Sequence, residues 1–213
     1  MATPMIHQTM PVLHIGAPLE QAKHVMILVH GRGAGAGSMI PLAEYLSQKD
    51  WAFLVPQAAE NTWYPQRFIM PRRSNEPYLS SALAILDQTV QKAQAFVGLE
   101  HIMLLGFSQG ACLTLEYAAR HPQPYGGVVA LSGGLIGTDE ELTGYEDNAL
   151  AGVPIFLGCS DTDWHIPLER VQRSTQILRQ MGAKVDERIY PGMDHTINRD
   201  EVDAVRAIMT SLR

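Results

Sequence analysis

Two cysteines in 213 residues, Cys112 and Cys159, are too few for a disulfide framework and match no zinc-type ligand spacing. Positive charge is also scarce. Sixteen Lys and Arg stand against 22 Asp and Glu, a net charge of −6, with no basic run or tail. Nucleic acid, which is held by neutralising phosphates with Lys and Arg, is therefore not an expected partner. Long hydrophobic runs are missing as well: the longest, such as Val25 to Val29, are strand-sized, far below the roughly 18 apolar residues of a membrane span. Met1 to Leu19 carries Pro4, Pro11 and Pro18 and has neither a charged n-region nor an uninterrupted apolar stretch, so no secretory signal is read there and a cytoplasmic location is expected. What is present is ordinary for a folded protein. Hydrophobic residues make up 46% and charged residues 18%, which excludes disordered, collagen-like and coiled-coil classes, and the length suits one domain over residues 1–213. No metal or cofactor is expected.

Short apolar runs alternate with longer amphipathic stretches, the pattern of a parallel sheet covered by helices on both faces. Residues 25–29, 51–55, 101–105, 127–131, 153–157 and 185–190 read as six strands. Stretches 39–48, 77–97, 109–120, 168–181 and 198–212 read as helices, with a weaker candidate at 139–142. In the second helix Leu79, Leu83, Leu86, Val90 and Ala93 recur at threes and fours and make one apolar face. The longest irregular piece, Pro56 to Glu76, is rich in proline and aromatics, and a loop of that length is usually functional.

The sequence Gly106-Phe-Ser-Gln-Gly110 sits between the apolar run ending at Leu105 and an amphipathic helix. This is the G-x-S-x-G nucleophile elbow in the strand, turn, helix context it requires. A serine on so tight a turn has a strained backbone, and its neighbours two residues either side must be glycine to avoid colliding. The turn lifts the Ser108 hydroxyl to the carboxyl end of the sheet and aims the first N–H groups of the helix at the same point, so that Gln109 N–H can serve an oxyanion.

A serine hydroxyl needs a base, and the base needs an acid to fix its tautomer. In the elbow-bearing fold these follow in the order serine, acid, histidine, each at the end of a later strand. His195 follows the strand ending at Tyr190, in Pro191-Gly-Met-Asp-His195, and is chosen among eight histidines on that placement. His165 stands in the acid loop instead. Asp161 and Asp163 both follow the strand 153–157 and compete for the acid role, while Asp194 adjoins its own base and is read as solvated or structural. A second glycine cluster, His30-Gly-Arg-Gly-Ala-Gly-Ala-Gly37, follows the strand 25–29. As an oxyanion loop it would add the Arg32 backbone N–H to that of Gln109. As a nucleotide cradle it fails, because Ala36 occupies the third glycine position counted from Gly31 and the P-loop lysine is absent.

Together these pieces resemble the phospholipase/carboxylesterase family of α/β-hydrolases, which includes the acyl-protein thioesterases. The matching segments are His30-Gly31, Trp63-Tyr64, Gly106-Phe-Ser-Gln-Gly110, Asp163 with Pro167 four residues on, and Gly192-x-x-His195. The resemblance implies a three-layer α/β-hydrolase sandwich without a large lid, a Ser108, Asp163, His195 triad, and oxyanion donors at Arg32 and Gln109. It selects Asp163 over Asp161, because the family places its acid four residues before a proline. Where relatives usually carry Asp after His-Gly and after the Trp-aromatic pair, this chain has Ala34 and Pro65, and its His30-Gly-Arg-Gly-Ala segment resembles a bacterial esterase subgroup.

The expected function is serine-dependent cleavage of small carboxylic esters, with an acyl thioesterase or lysophospholipase of the same family as the alternative. A catalytically silent binding module is the reading from another class. Trp63, Tyr64, Phe68, Trp164 and Met193 are expected to line an acyl pocket, with anchoring of the loop to the core as the rival role for Trp63 and Phe68. Arg67, Arg72 and Arg73 are placed to meet an anionic substrate or, as the rival role, are solvated. Cys112 reads as a packed core residue. An exposed apolar patch would support a homodimer.

Overall fold

The computed structural model describes residues 5–212. Seven strands form one sheet: β1 (Val12–Gly16), β2 (His24–Val29), β3 (Trp51–Pro56), β4 (Ile102–Phe107), β5 (Gly127–Leu131), β6 (Pro154–Ser160) and β7 (Lys184–Tyr190). Their spatial order is β1-β3-β2-β4-β5-β6-β7. All neighbours are parallel except β1, which runs antiparallel to β3 at one edge.

The side-chain alternation of a strand sends successive residues to opposite faces, and β2 shows the result. Val25, Ile27 and Val29 join one buried cluster, with residues of α2 (Tyr78–Gln94), α3 (Gln109–Arg120) and α4 (Leu168–Gln180). Met26 and Leu28 join the other, with α1 (Ile40–Leu46) and α5 (Arg199–Ser211). Because both faces are covered, the inner parallel strands β2 to β5 are almost wholly apolar instead of alternating, whereas β7 at the far edge is Lys-Val-Asp-Glu-Arg-Ile-Tyr and mixes charged with apolar residues. The protein is thus a three-layer α/β-hydrolase sandwich. All five α-helices contribute buried residues to one cluster or the other, so each is committed to covering the sheet. Among the described residues no helix is long and apolar enough to cross a membrane.

The six strands and five main helices read from the sequence are present; β5 and α3 have the expected ends, and no other end is shifted by more than three residues. The seventh strand, β1, is the addition. It is short, lies at an edge with only partly buried residues, and is hemmed by Pro11 and Pro18, so it lacks the apolar run that marks the inner strands. Residues 139–142 form a single 3-10 turn, Asp139–Glu141, in place of an α-helix. The 56–76 stretch carries two further 3-10 turns, at Ala59–Asn61 and Arg72–Asn75.

Candidate active site

Strand β4 ends at Phe107, α3 begins at Gln109, and the chain reverses on Ser108 alone, at φ 54° and ψ −118°. This left-handed conformation is rare for a residue with a side chain. It survives because the surroundings leave no alternative. A Cβ on Gly106 would stand 2.2 Å from the Gly110 carbonyl oxygen, and one on Gly110 would stand 2.1 Å from that of Val29. The Ser108 N–H donates to the Leu131 carbonyl at 2.9 Å, tying the elbow to the end of β5.

The loops after β6 and β7 bring two further side chains to the serine. His195 Nε2 is 2.9 Å from Ser108 Oγ, and His195 Nδ1 is 2.6 Å from Asp163 Oδ2. The other carboxylate oxygen, Oδ1, accepts the His165 and Ile166 N–H groups at 2.9 and 3.2 Å. With a carboxylate accepting at Nδ1, that nitrogen carries the proton, and Nε2 is left to accept from the serine hydroxyl. Asp161 has a separate use: its Oδ1 accepts the Gly192 N–H at 2.8 Å and so braces the loop that carries His195. Asp194 is exposed. His165, set aside in the sequence, stands with its ring centroid 4.8 Å from that of His195, and Phe107 packs on the same imidazole at 5.1 Å. Burial and the neighbouring His195 hold the His165 imidazole below its usual range.

The glycine loop after β2 closes the other side. Gly31 lies against the elbow, where an added Cβ would sit 3.4 Å from that of Ser108. Beyond it Arg32 borders the same cleft over Ser108 as Gln109 does, and neither backbone N–H has an acceptor among the described residues. Such orphan donors are normal in the first turn of a helix, and a pair of them makes a site for negative charge. The loop is positioned by side chains to which the sequence assigned no such role. His30 is wholly buried, sharing a hydrogen bond with the Gly31 carbonyl through Nδ1 and accepting the Ala58 N–H at Nε2. His7 works similarly on residues 59–63, accepting the Ala59 N–H at Nδ1 and donating from Nε2 to the Trp63 carbonyl. Burial pushes both imidazoles below their ordinary range, as suits neutral, structural histidines. The Gln109 side chain completes the clamp, accepting the Trp63 N–H and donating to the Tyr64 carbonyl at 2.9 and 2.8 Å.

A cavity of about 560 Å³ opens over Ser108. Tyr64 and Phe68 line it, together with Phe107, Cys112, Ile166 and His165, while Met39, Leu42 and Ile197 line it from α1 and its approach and from the segment before α5. Three of the expected pocket residues are elsewhere. Trp63 is 0% exposed and anchors the loop, its indole N–H donating to the His30 carbonyl at 2.9 Å. Trp164 is 79% exposed, packs tilted against His165 and does not line the cavity. Met193 accepts from the Asn198 side chain at its sulfur and stays outside. The miss has a simple cause: proximity in sequence to Asp163 and His195 does not fix the direction of a loop side chain. Met39 and Leu42 carried no signal beyond the apolar face of a helix. Arg72 is also occupied elsewhere, pairing with Glu116 at 3.1 Å and donating to the Glu141 carbonyl. Cys112 is buried and borders the cavity; burial pushes its thiol up to about 12, as it does that of Cys159, and neither is disulfide-bonded.

The chain as a whole has known relatives. The chain is 27% identical over 213 residues to the acyl-protein thioesterase 1 of Saccharomyces cerevisiae, covering 90% of this chain and 93% of that one. It superposes on a phospholipase/carboxylesterase from Dyadobacter fermentans with a TM-score of 0.91 at 38% identity, covering 98% of this chain and 100% of that one. Esterase PE8 matches with a TM-score of 0.78 at 26% identity over 96% of this chain and 98% of that one. The phospholipase/carboxylesterase family model matches residues 10–212, and the chain belongs to that family.

Proposed function

We propose that the protein is a serine hydrolase that cleaves carboxylic esters through an acyl-enzyme on Ser108. The observation that carries this reading is the continuous hydrogen-bonded line from Asp163 through His195 to Ser108, at the floor of a cavity that also holds two unpaired N–H groups. In the first step Ser108 Oγ attacks the acyl carbonyl while its proton passes to His195 Nε2. The carbonyl oxygen becomes an oxyanion held by the Arg32 and Gln109 N–H groups, and Asp163 stabilises the imidazolium. Collapse expels the alcohol with the proton from Nε2 and leaves the acyl group on the serine. A water molecule then gives its proton to the same nitrogen, attacks the acyl-enzyme, and releases the acid with Ser108 restored.

The thioesterase relative makes acyl thioesters the second substrate class. They would follow the same steps with a thiol as leaving group. A catalytically silent binding module would have no need of a basic Nε2 aimed at a strained serine. The test is hydrolysis of 4-nitrophenyl acetate by pure protein, with a thioester of the same acyl group alongside. Ser108→Ala is expected to abolish turnover and fluorophosphonate labelling with the fold intact. Undiminished hydrolysis by the variant would overturn the proposal.

A further inference from the structure

The protein carries a net charge of −6, yet the cavity over Ser108 is lined by no Asp or Glu. Two arginines line it instead, Arg32 and Arg67, and neither has a carboxylate partner among the described residues. The two differ in how they are used. Arg32 spends its Nη1 and Nη2 donors on the Pro65 and Gln66 carbonyls, at 2.8 and 2.6 Å, and lies over the Tyr64 ring. It thereby pins the turn that presents Arg67. On the other side of that turn, wholly buried Asn75 accepts the Gln66 N–H at 2.7 Å, and the Phe68 carbonyl accepts the Gly137 N–H at 2.8 Å. The backbone of Arg67 is thus held from both sides while its side chain, exposed and without a hydrogen-bond partner among the described residues, stands at the cavity rim. Its charge reaches the catalytic face, since it contributes to lowering the His165 imidazole beside His195.

A guanidinium free of other partners, carried on a firmly held backbone at the mouth of a largely apolar cavity and with no carboxylate in salt-bridge reach among the described residues, is arranged to receive an anion. We propose that the substrates of this site are esters carrying a second, ionised acid group, and that Arg67 is the residue that selects them. The inference rests on the serine-hydrolase reading above. The matching chemistry is a monoester of a dicarboxylic acid, or an ester whose alcohol part bears the carboxylate; the ester bond reaches Ser108 while the carboxylate remains at the rim. Arg72 and Arg73, the other two arginines of the 56–76 segment, do not line the cavity.

The test compares matched pairs of esters. One pair is mono-4-nitrophenyl glutarate and its methyl-capped diester, with the charge on the acyl side. The other is an acetyl ester of 4-hydroxybutyrate and that of its amide, with the charge on the alcohol side. For at least one pair the wild type is expected to favour the anion about tenfold in kcat/KM, equivalent to about 1.4 kcal/mol, and the preference should shrink as salt is raised. Arg67→Gln should bring that ratio close to one, Arg67→Lys should restore part of it, and Arg67→Glu should invert it. Which pair responds assigns the carboxylate to the acyl or the alcohol side. Equal kcat/KM for charged and neutral members of both pairs, or a ratio untouched by Arg67→Gln, overturns the inference while leaving the triad standing, provided Ser108 still labels with a fluorophosphonate. Absence of both hydrolysis and labelling would instead remove the serine-hydrolase reading and this inference with it.

Discussion

Adding a single methyl group at Gly110 should be among the most damaging small changes in the protein. The new Cβ would lie 2.1 Å from the Val29 carbonyl oxygen and 2.6 Å from that of His30. Real contacts of this kind mostly stay beyond about 3.4 Å, and both obstacles are backbone, so no side chain can rotate away. Relief requires α3 to move off β2 by roughly an ångström, which also drags Gln109 from Trp63 and Tyr64. Overpacking a core costs about 1–3 kcal/mol when side chains can yield, so a backbone collision belongs at the top of that range, about 3 kcal/mol. For a chain of this length each kcal/mol lowers the melting temperature by roughly 2–4 °C, giving a fall of about 6–12 °C for Gly110→Ala. Gly37→Ala is the control: nothing lies within 4 Å of its added Cβ and its φ lies outside the left-handed range, so it should match or slightly exceed wild type. Thermal melting by circular dichroism reads both. A Gly110→Ala melting temperature within about 1 °C of Gly37→Ala would refute the steric account of the elbow.

Three further outcomes are expected. Asp163→Asn should fold but lose about 10⁴-fold in kcat: an amide oxygen kept on the His165 and Ile166 N–H groups turns its NH₂ toward His195 Nδ1 and forces the wrong tautomer, which ester hydrolysis kinetics and imidazole NMR will show. Gln109→Ala should leave the buried Trp63 N–H and Tyr64 carbonyl unpaired, costing about 2–4 kcal/mol in urea unfolding and speeding amide exchange at Trp63. Glu201 is buried with one oxygen unpartnered, and burial pushes its carboxyl up to about 7 from an ordinary 4.5. A raised folded value means stability that is complete below about 4.5 and lost as pH rises through about 7, so Glu201→Gln should flatten the stability profile across that window; an unchanged slope in urea midpoints would contradict this.

The sheet, the Ser108 elbow and the placement of His195 were legible in the sequence because each leaves a local mark, whereas the choice of Asp163 over Asp161 came only from the family resemblance. Inner parallel strands must be apolar on both faces, as Val25 to Val29 is, and glycines two residues either side of a serine, between a strand and a helix, mark a turn too tight for any larger residue. What escaped was whatever depends on direction or on distant partners. Trp63 and Tyr64 are adjacent and similar in composition, yet one is an anchor and the other lines the cavity, a distinction made by the His30 carbonyl thirty-three positions away. The edge strand β1 needs hydrogen bonds from β3 to exist at all. His7 read as structural and His30 as part of the His30-Gly31 segment, but the distant carbonyl and N–H groups they hold lie on residues 58–63 and leave no local mark beside either histidine.

The order in which the chain is made bears on when the site can act. Ser108, Asp163 and His195 are carried to one point by β4, β6 and β7, and 87 positions separate the serine from the histidine it contacts. At roughly 5–20 residues per second of synthesis, a ribosome adds that stretch in about 4–17 seconds. During this interval a nascent chain can hold the elbow and its strained serine but not the imidazole. The β7 strand and its loop are among the last parts of the sheet to be supplied, so the hydroxyl meets the His195 imidazole only after the other six strands have been made.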